Sequence, residues 1–151
     1  MSSMTSCLRL TAGGEYAVTV MAALALAGRR ITIGDLARQE DIPPSFLAKI
    51  LRTLARNGLV VAAPGPKGGI QLSRPPAEVT LLSILEAYEG PFSRPACVFA
   101  RGKPCPGTEC KVYCPLRRVE DEVRDHLRHI DLREMAASLA RHPRRREAAG
   151  R

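Results

Sequence analysis

Four of the five cysteines fall within eighteen residues, at Cys97, Cys105, Cys110 and Cys114. Deprotonated sulfur is a soft donor, so such a cluster is a ligand set for an iron–sulfur cluster or for zinc. Lys103 and Lys111 stand among the thiols and favour their charged form. A structural zinc site prefers cysteine pairs two to four residues apart. Cys105-x4-Cys110 and Cys110-x3-Cys114 come near that pattern, and Cys97 has no such mate. His126-x2-His129 after Cys110 and Cys114 roughly imitates a zinc finger. The His spacing is too tight, and the residues between read as one helix, so these His and His142 are taken as solvated. Cys7 stands apart and reads as a surface thiol.

The elements that must position these thiols are legible from pattern. Thr11–Ala27 reads as a helix with a Gly13-Gly14 hinge near its start. Thr32-x-x-Asp35 resembles a capping box, with Asp in place of Glu, and opens a short helix to about Arg38. Glu40-Asp41-Ile42 is its turn. Pro43-Pro44 suits a helix start, because the missing donor would be orphaned there anyway. The helix that follows runs to Asn57, and Gly58 is a left-handed stop. Leu47, Ile50, Leu51 and Leu54 form its apolar stripe, and Ser45, Lys49, Arg52 and Arg56 lie on another face.

Leu59–Ala63 and Ile70–Ser73 read as two strands around Pro64-Gly-Pro-Lys-Gly-Gly69. A helix pair followed by such a hairpin is the winged helix-turn-helix pattern. The fold class is therefore mainly α with a small β-hairpin wing. In that arrangement the second helix of the pair enters the major groove of double-stranded DNA. Ser45 and Lys49 can then reach base edges, and Arg52, Arg56, Lys67 and Arg74 are candidates for phosphate. An ordinary amphipathic surface helix would look similar if it stood alone.

Leu81–Tyr88 is a further helix, stopped by Gly90-Pro91. Residues 91–114 hold four Pro and two Gly without apolar period, so the cysteines sit in a long loop. A helix begins at Pro115. Its seam of Leu116, Val119, Val123, Leu127 and Ile130 is narrow enough to pack on its own domain or on a second copy. A homodimer is the sharper reading, because paired half-sites on DNA reward a two-fold protein. Leu132–Leu139 reads as a final short helix. The organisation expected is a DNA-binding domain over 1–90, a cofactor loop over 91–114, dimerisation and C-terminal helices over 115–140, and a basic disordered tail over 141–151.

Bulk composition agrees with a nucleic-acid partner. The 151 residues carry a net charge of +8, and the 45% hydrophobic share supports a core that is aliphatic, since aromatics are only 4%. Residues 141–151 contribute five Arg against one Glu, a run that would usually be solvated. The apolar run 17–27 is too short to span a bilayer, and only Arg9 is positive ahead of it, with Glu15 at its edge, so it reads as a buried helix rather than a leader or membrane segment. A cytoplasmic location keeps thiols reduced, which favours metal binding over disulfides. No nucleotide-binding loop, Ser/His/Asp set or carboxylate pair stands out, so an enzyme is not expected.

Leu8-Arg-Leu-Thr11, Glu15-Tyr-Ala-Val18, Asp35-Leu-Ala37, Asn57-Gly-Leu-Val60, Gly65-Pro-x-Gly-Gly69, Arg74-Pro-Pro76 and Cys114-Pro-Leu-Arg117 occur in order. Over residues 8–139 the chain resembles the Rrf-two family of bacterial transcription regulators, whose IscR-, NsrR- and RirA-like members bind iron–sulfur clusters. The resemblance implies a homodimeric winged helix-turn-helix regulator with a long crossed dimerisation helix. It also implies that Cys97, Cys105 and Cys114 match the family's three cluster ligands, with Cys110 extra. In some NsrR-like members an acid near the start of the first helix, given by the partner subunit, completes the site, and Glu15 holds that position. Glu15 reads equally well as an acid favoured by the helix dipole. Arg117 stands where IscR-like members place a His ligand, which points away from a His-ligated cluster.

The function expected is a transcription regulator, such as a repressor, whose operator affinity is set by a [2Fe-2S] or [4Fe-4S] cluster that reports iron–sulfur status, nitric oxide or redox. Loop position and resemblance favour a cluster over zinc. A zinc-stabilised or cluster-free regulator, sensing by thiol oxidation or a protein partner, is the alternative.

Overall fold

A computed structural model describes residues 10–65, 68–91 and 113–141. The order of elements is α1 (Ala12–Ala27), α2 (Ile33–Glu40), α3 (Pro44–Arg56), β1 (Val60–Ala63), β2 (Gly69–Leu72), a 3₁₀ turn at Pro76–Glu78, α4 (Leu81–Glu89), α5 (Tyr113–His129) and α6 (Leu132–Arg141).

Helix α1 is apolar nearly all round, and a helix of that kind belongs inside. It runs through the centre of the molecule and packs on α2, α3, α4, α6 and β2. Ala17, Val20, Met21 and Ala23 have no exposed surface. The Thr11 hydroxyl accepts the Gly14 N–H at its start, and Gly28 ends it at φ 60°. Gly13 and Gly14 do not form a hinge. They lie inside the continuous helix, buried, because a Cβ at Gly13 would fall 2.3 Å from the Tyr88 ring and one at Gly14 would fall 2.3 Å from the Glu89 carboxylate. No helix among the described residues is long and apolar enough to cross a membrane.

The helix pair α2–α3 follows the expected order. Helix α2 runs two residues past Arg38, to Glu40, and the chain reverses at Asp41, which holds φ 54°. Short polar side chains tolerate that left-handed region better than most. Pro44 opens α3, and Leu47, Ile50, Leu51 and Leu54 are buried along one stripe. Asn57 caps its end rather than extending it.

Strands β1 and β2 pair antiparallel, with Val60 opposite Leu72 and Ala63 opposite Gly69. Ile31 adds a third rail that the sequence did not disclose. Its N–H donates to the Ile70 carbonyl at 2.9 Å, and the Ile70 N–H returns to the Ile31 carbonyl at 2.7 Å.

Helix α4 opens on a reciprocal Thr80–Ser83 capping box. Helix α5 begins at Tyr113, two residues before Pro115. It packs on α4 with Val123 and Leu127 against Leu82 and Leu85. The seam therefore divides: Leu127 is buried in its own chain, while Val119 is 57% exposed. At the α5–α6 corner the Leu81 N–H donates to the Ile130 carbonyl at 2.9 Å and the Leu132 N–H to the Val79 carbonyl at 2.8 Å. Asp131 receives the Glu134 N–H there, as an N-cap, together with the Arg133 guanidinium at 2.7 Å. Those two donors hold its carboxyl below the usual carboxylate range, Arg133 foremost.

Candidate nucleic-acid interface and the cysteine-bearing segment

Burial of one side of α3 decides what the other side offers. Ser45, Lys49, Arg52 and Arg56 recur at steps of 4, 3 and 4, and all four are exposed. Neither Lys49, Arg52 nor Arg56 pairs with a carboxylate among the described residues. Their charge is therefore open to an anion. At the start of α3, the half-buried Phe46 meets Tyr16 of α1 edge-to-face, with centroids 5.5 Å apart and planes at 85°. Such a pair contributes about 0.5–1.5 kcal/mol beyond its area. It sets α3 against the second turn of α1.

The far end of α3 is tied down as well. Asn57 Nδ2 donates to the Thr53 carbonyl at 2.9 Å and to the Ala87 carbonyl of α4 at 3.1 Å. The Ser73 hydroxyl donates to the Gly58 carbonyl at 2.5 Å, and Arg74 Nη2 donates to the same oxygen at 3.3 Å. Arg74 is exposed and keeps its other donors for an anion. Part of its work is thus to close the wing onto the end of α3. Lys67, at the wing turn, lies outside the described residues.

Helix α2 carries the expected Thr32 cap: the hydroxyl accepts the Asp35 N–H at 3.1 Å. The reciprocal bond differs from a capping box. The Asp35 carboxylate takes the Thr32 hydroxyl at 2.7 Å and the Arg38 guanidinium at 2.5 Å, not the Thr32 backbone. Those bonds hold Asp35 below the usual range.

Of the proposed metal ligands, Cys97, Cys105 and Cys110 lie outside the described residues, as does Cys7. Cys114 falls in the first turn of α5. Glu15 is exposed in the first turn of α1. His126 and His129 are exposed too, and His129 Nδ1 lies 2.7 Å from the Asp125 carbonyl oxygen.

A residue the sequence reading missed is Glu89, the last of α4. Its Oε1 accepts the Thr11 N–H at 3.0 Å and the Thr11 hydroxyl at 2.6 Å. An acid at this helix start satisfies an orphan donor and opposes the positive end of the dipole. The partners are 78 positions apart, so no local pattern announces them. The paired glycines of α1 were the available signal, since they mark where another element comes close.

Comparison with known proteins places this geometry. The model of the Rrf2 family, described as an iron-dependent transcriptional regulator, matches residues 10–138. The chain is 34% identical over 113 residues to protein aau3 of Rhizobium meliloti, covering 74% of this chain and 73% of that one. It is 30% identical over 131 residues to the HTH-type transcriptional regulator IscR of Pectobacterium carotovorum, covering 85% and 79%. Among solved structures, CymR, the global cysteine regulator of B. subtilis, superposes with a TM-score of 0.71 at 22% identity, over 87% of this chain and 98% of that one. At that identity the likeness speaks for the fold alone.

Proposed function

Since the chain belongs to the Rrf2 family and is a DNA-binding transcription regulator rather than an enzyme, we propose that an iron–sulfur cluster held by its cysteines sets how tightly it grips its operator. The observation that carries this reading is the first turn of α1. Thr11 is bonded to Glu89, from which the chain leads through Gly90 and Pro91 toward Cys97. Tyr16, one turn on, packs on Phe46 at the start of α3. A force on the cysteine segment is therefore transmitted through two contacts to the helix that reads DNA.

The donor set fits the group. Cys97, Cys105 and Cys114, with Cys110 or Glu15 as a further donor, supply the thiolate-rich ligation that clusters take. A bound cluster supplies a redox- and nitric-oxide-sensitive centre that is lost when iron is short. The chain's own residues do the rest. Thr11 and Glu89 fix the base of α1, Phe46 and Tyr16 seat α3, and Lys49 and Arg52 meet the duplex.

The active form is a homodimer. Among the described side chains of α5, Val119 is exposed and apolar, and it is offered to a second copy. Half-sites lie roughly 34–36 Å apart, so a small rotation between two heads breaks simultaneous contact. Coupling between cofactor and operator then has the ordinary allosteric size of about 1–3 kcal/mol.

Anaerobic purification with iron, sulfide and zinc analysis, followed by operator titration of loaded and stripped protein at fixed salt, tests this. The expected result is brown protein containing iron and sulfide, with affinities that differ by about five- to 150-fold. Equal affinity for every operator would refute it. Colourless protein with stoichiometric zinc would support the alternative, which the Cys105-x4-Cys110-x3-Cys114 spacing favours.

A further inference from the structure

The third rail of the wing places a cation where the sequence reading looked for none. Arg29 and Arg30 lead directly into Ile31, whose two backbone bonds to Ile70 join it to β2. Ile31 is buried, so its predecessor in this extended stretch falls on the opposite, solvent face. Arg30 is exposed there. Gly69 makes room for it. A Cβ on Gly69 would lie 3.0 Å from Arg30 Cγ, so the stem of Arg30 lies across the first residue of β2, beside the wing turn.

Two residues after Arg30, the Thr32 cap opens α2. In a helix-turn-helix pair the first helix crosses the DNA backbone while the second enters the groove. Arg30 thus stands between the start of the backbone-crossing helix and the wing. Its neighbours are otherwise occupied. Arg38 is bonded to Asp35, and Arg29 lies close enough to act on the same carboxylate. No carboxylate among the described residues pairs with Arg30.

We propose that Arg30 binds a backbone phosphate of the duplex in the gap between α2 and the wing, as a sequence-independent clamp separate from the contacts of α3. The inference rests on the assignment of the chain as a DNA-binding regulator and adds a contact to it. A planar guanidinium suits phosphate, with two parallel bonds to its oxygens.

The test is a salt titration of the full chain on a mixed-sequence duplex long enough for two half-sites, read by fluorescence anisotropy. Each phosphate neutralised contributes about 0.9 to the slope of log K against log salt on B-DNA. Arg30→Ala is expected to lower that slope by about 0.9 per bound head and to weaken all duplexes alike, with an unchanged melting temperature. Arg30→Lys keeps the charge and is expected to restore most of the slope. A native chain that binds while Arg30→Ala keeps its slope overturns this inference alone. A native chain with no salt-dependent affinity for any duplex overturns the DNA-binding assignment itself, and this inference with it.

Discussion

Replacing Gly69 by Ala should unseat the wing. Gly69 holds φ 142°, a region that side chains rarely adopt, and a Cβ there would meet the Ile31 carbonyl oxygen at 2.5 Å and its carbon at 2.8 Å. Both are backbone atoms in a paired segment, so neither can swing aside. The chain can keep the pairing and bear the collision, or open it and lose two hydrogen bonds. A non-glycine residue in such a backbone region costs about 1–3 kcal/mol either way. Each lost bond adds about 0.5–1.5 kcal/mol, and opening also exposes Ile31 and Ile70, now 6% and 4% exposed. Strain and two lost bonds together come to about 2–6 kcal/mol, which for a chain of this length lowers the melting temperature by about 4–24 °C. Gly65→Ala is the internal comparison. Gly65 holds φ 100° with nothing within 4 Å of a would-be Cβ, so it should show backbone strain without collision. Thermal unfolding of both variants, with amide exchange read at Ile31 and Ile70, decides the matter. A Gly69→Ala protein that melts within about 1 °C of the native chain and keeps both amides protected refutes the reasoning.

Lys49→Ala is expected to weaken one operator selectively, because Lys49 lies early in α3, where base edges are reached, whereas Arg52→Ala should weaken all duplexes alike and lower the salt slope by about one per head; competition titrations on matched and scrambled operators separate them. Asp131 sets an acid limit on the α5–α6 corner. Its folded value lies below the ordinary 3.8, so its stabilisation is present above that value and is lost as pH falls through the lower folded one. Melting temperatures of native chain and Asp131→Asn should therefore converge in strong acid, and a constant difference down to that range would contradict the sign.

Much of the fold was legible because its signals are local. Thr32 and Pro44 announce helix starts, Gly58 announces an end, and the stripe Leu47–Leu54 states which side of α3 is buried. The candidate DNA face follows from that stripe by elimination, so Ser45, Lys49, Arg52 and Arg56 were readable as one surface. What stayed hidden depends on partners distant in the chain. A single-residue bridge such as Ile31 to Ile70 leaves no alternation to detect, and with it went the setting of Arg30. The glycine pair in α1 looked like a hinge because the Tyr88 and Glu89 side chains that require it belong to α4. The seam of α5 read as one continuous face, although only tertiary packing could divide Leu127 from Val119. The thiol cluster is plain in sequence, and three of its four members fall outside the described residues.

The division of α5 has a mechanical consequence. Its grip on α4 includes Val123 and Leu127, four residues or about 6 Å apart along the axis, and between them the Arg124–Glu86 ion pair at 3.7 Å. Cys114, in the first turn of the helix, lies about 14 Å before Val123 along the same axis. A rigid tilt of about 10° about that grip moves the backbone at Cys114 by about 2–3 Å while the gripped residues shift by about 1 Å. A small change of angle against Leu82 and Leu85 therefore corresponds to a larger displacement of the turn that bears Cys114.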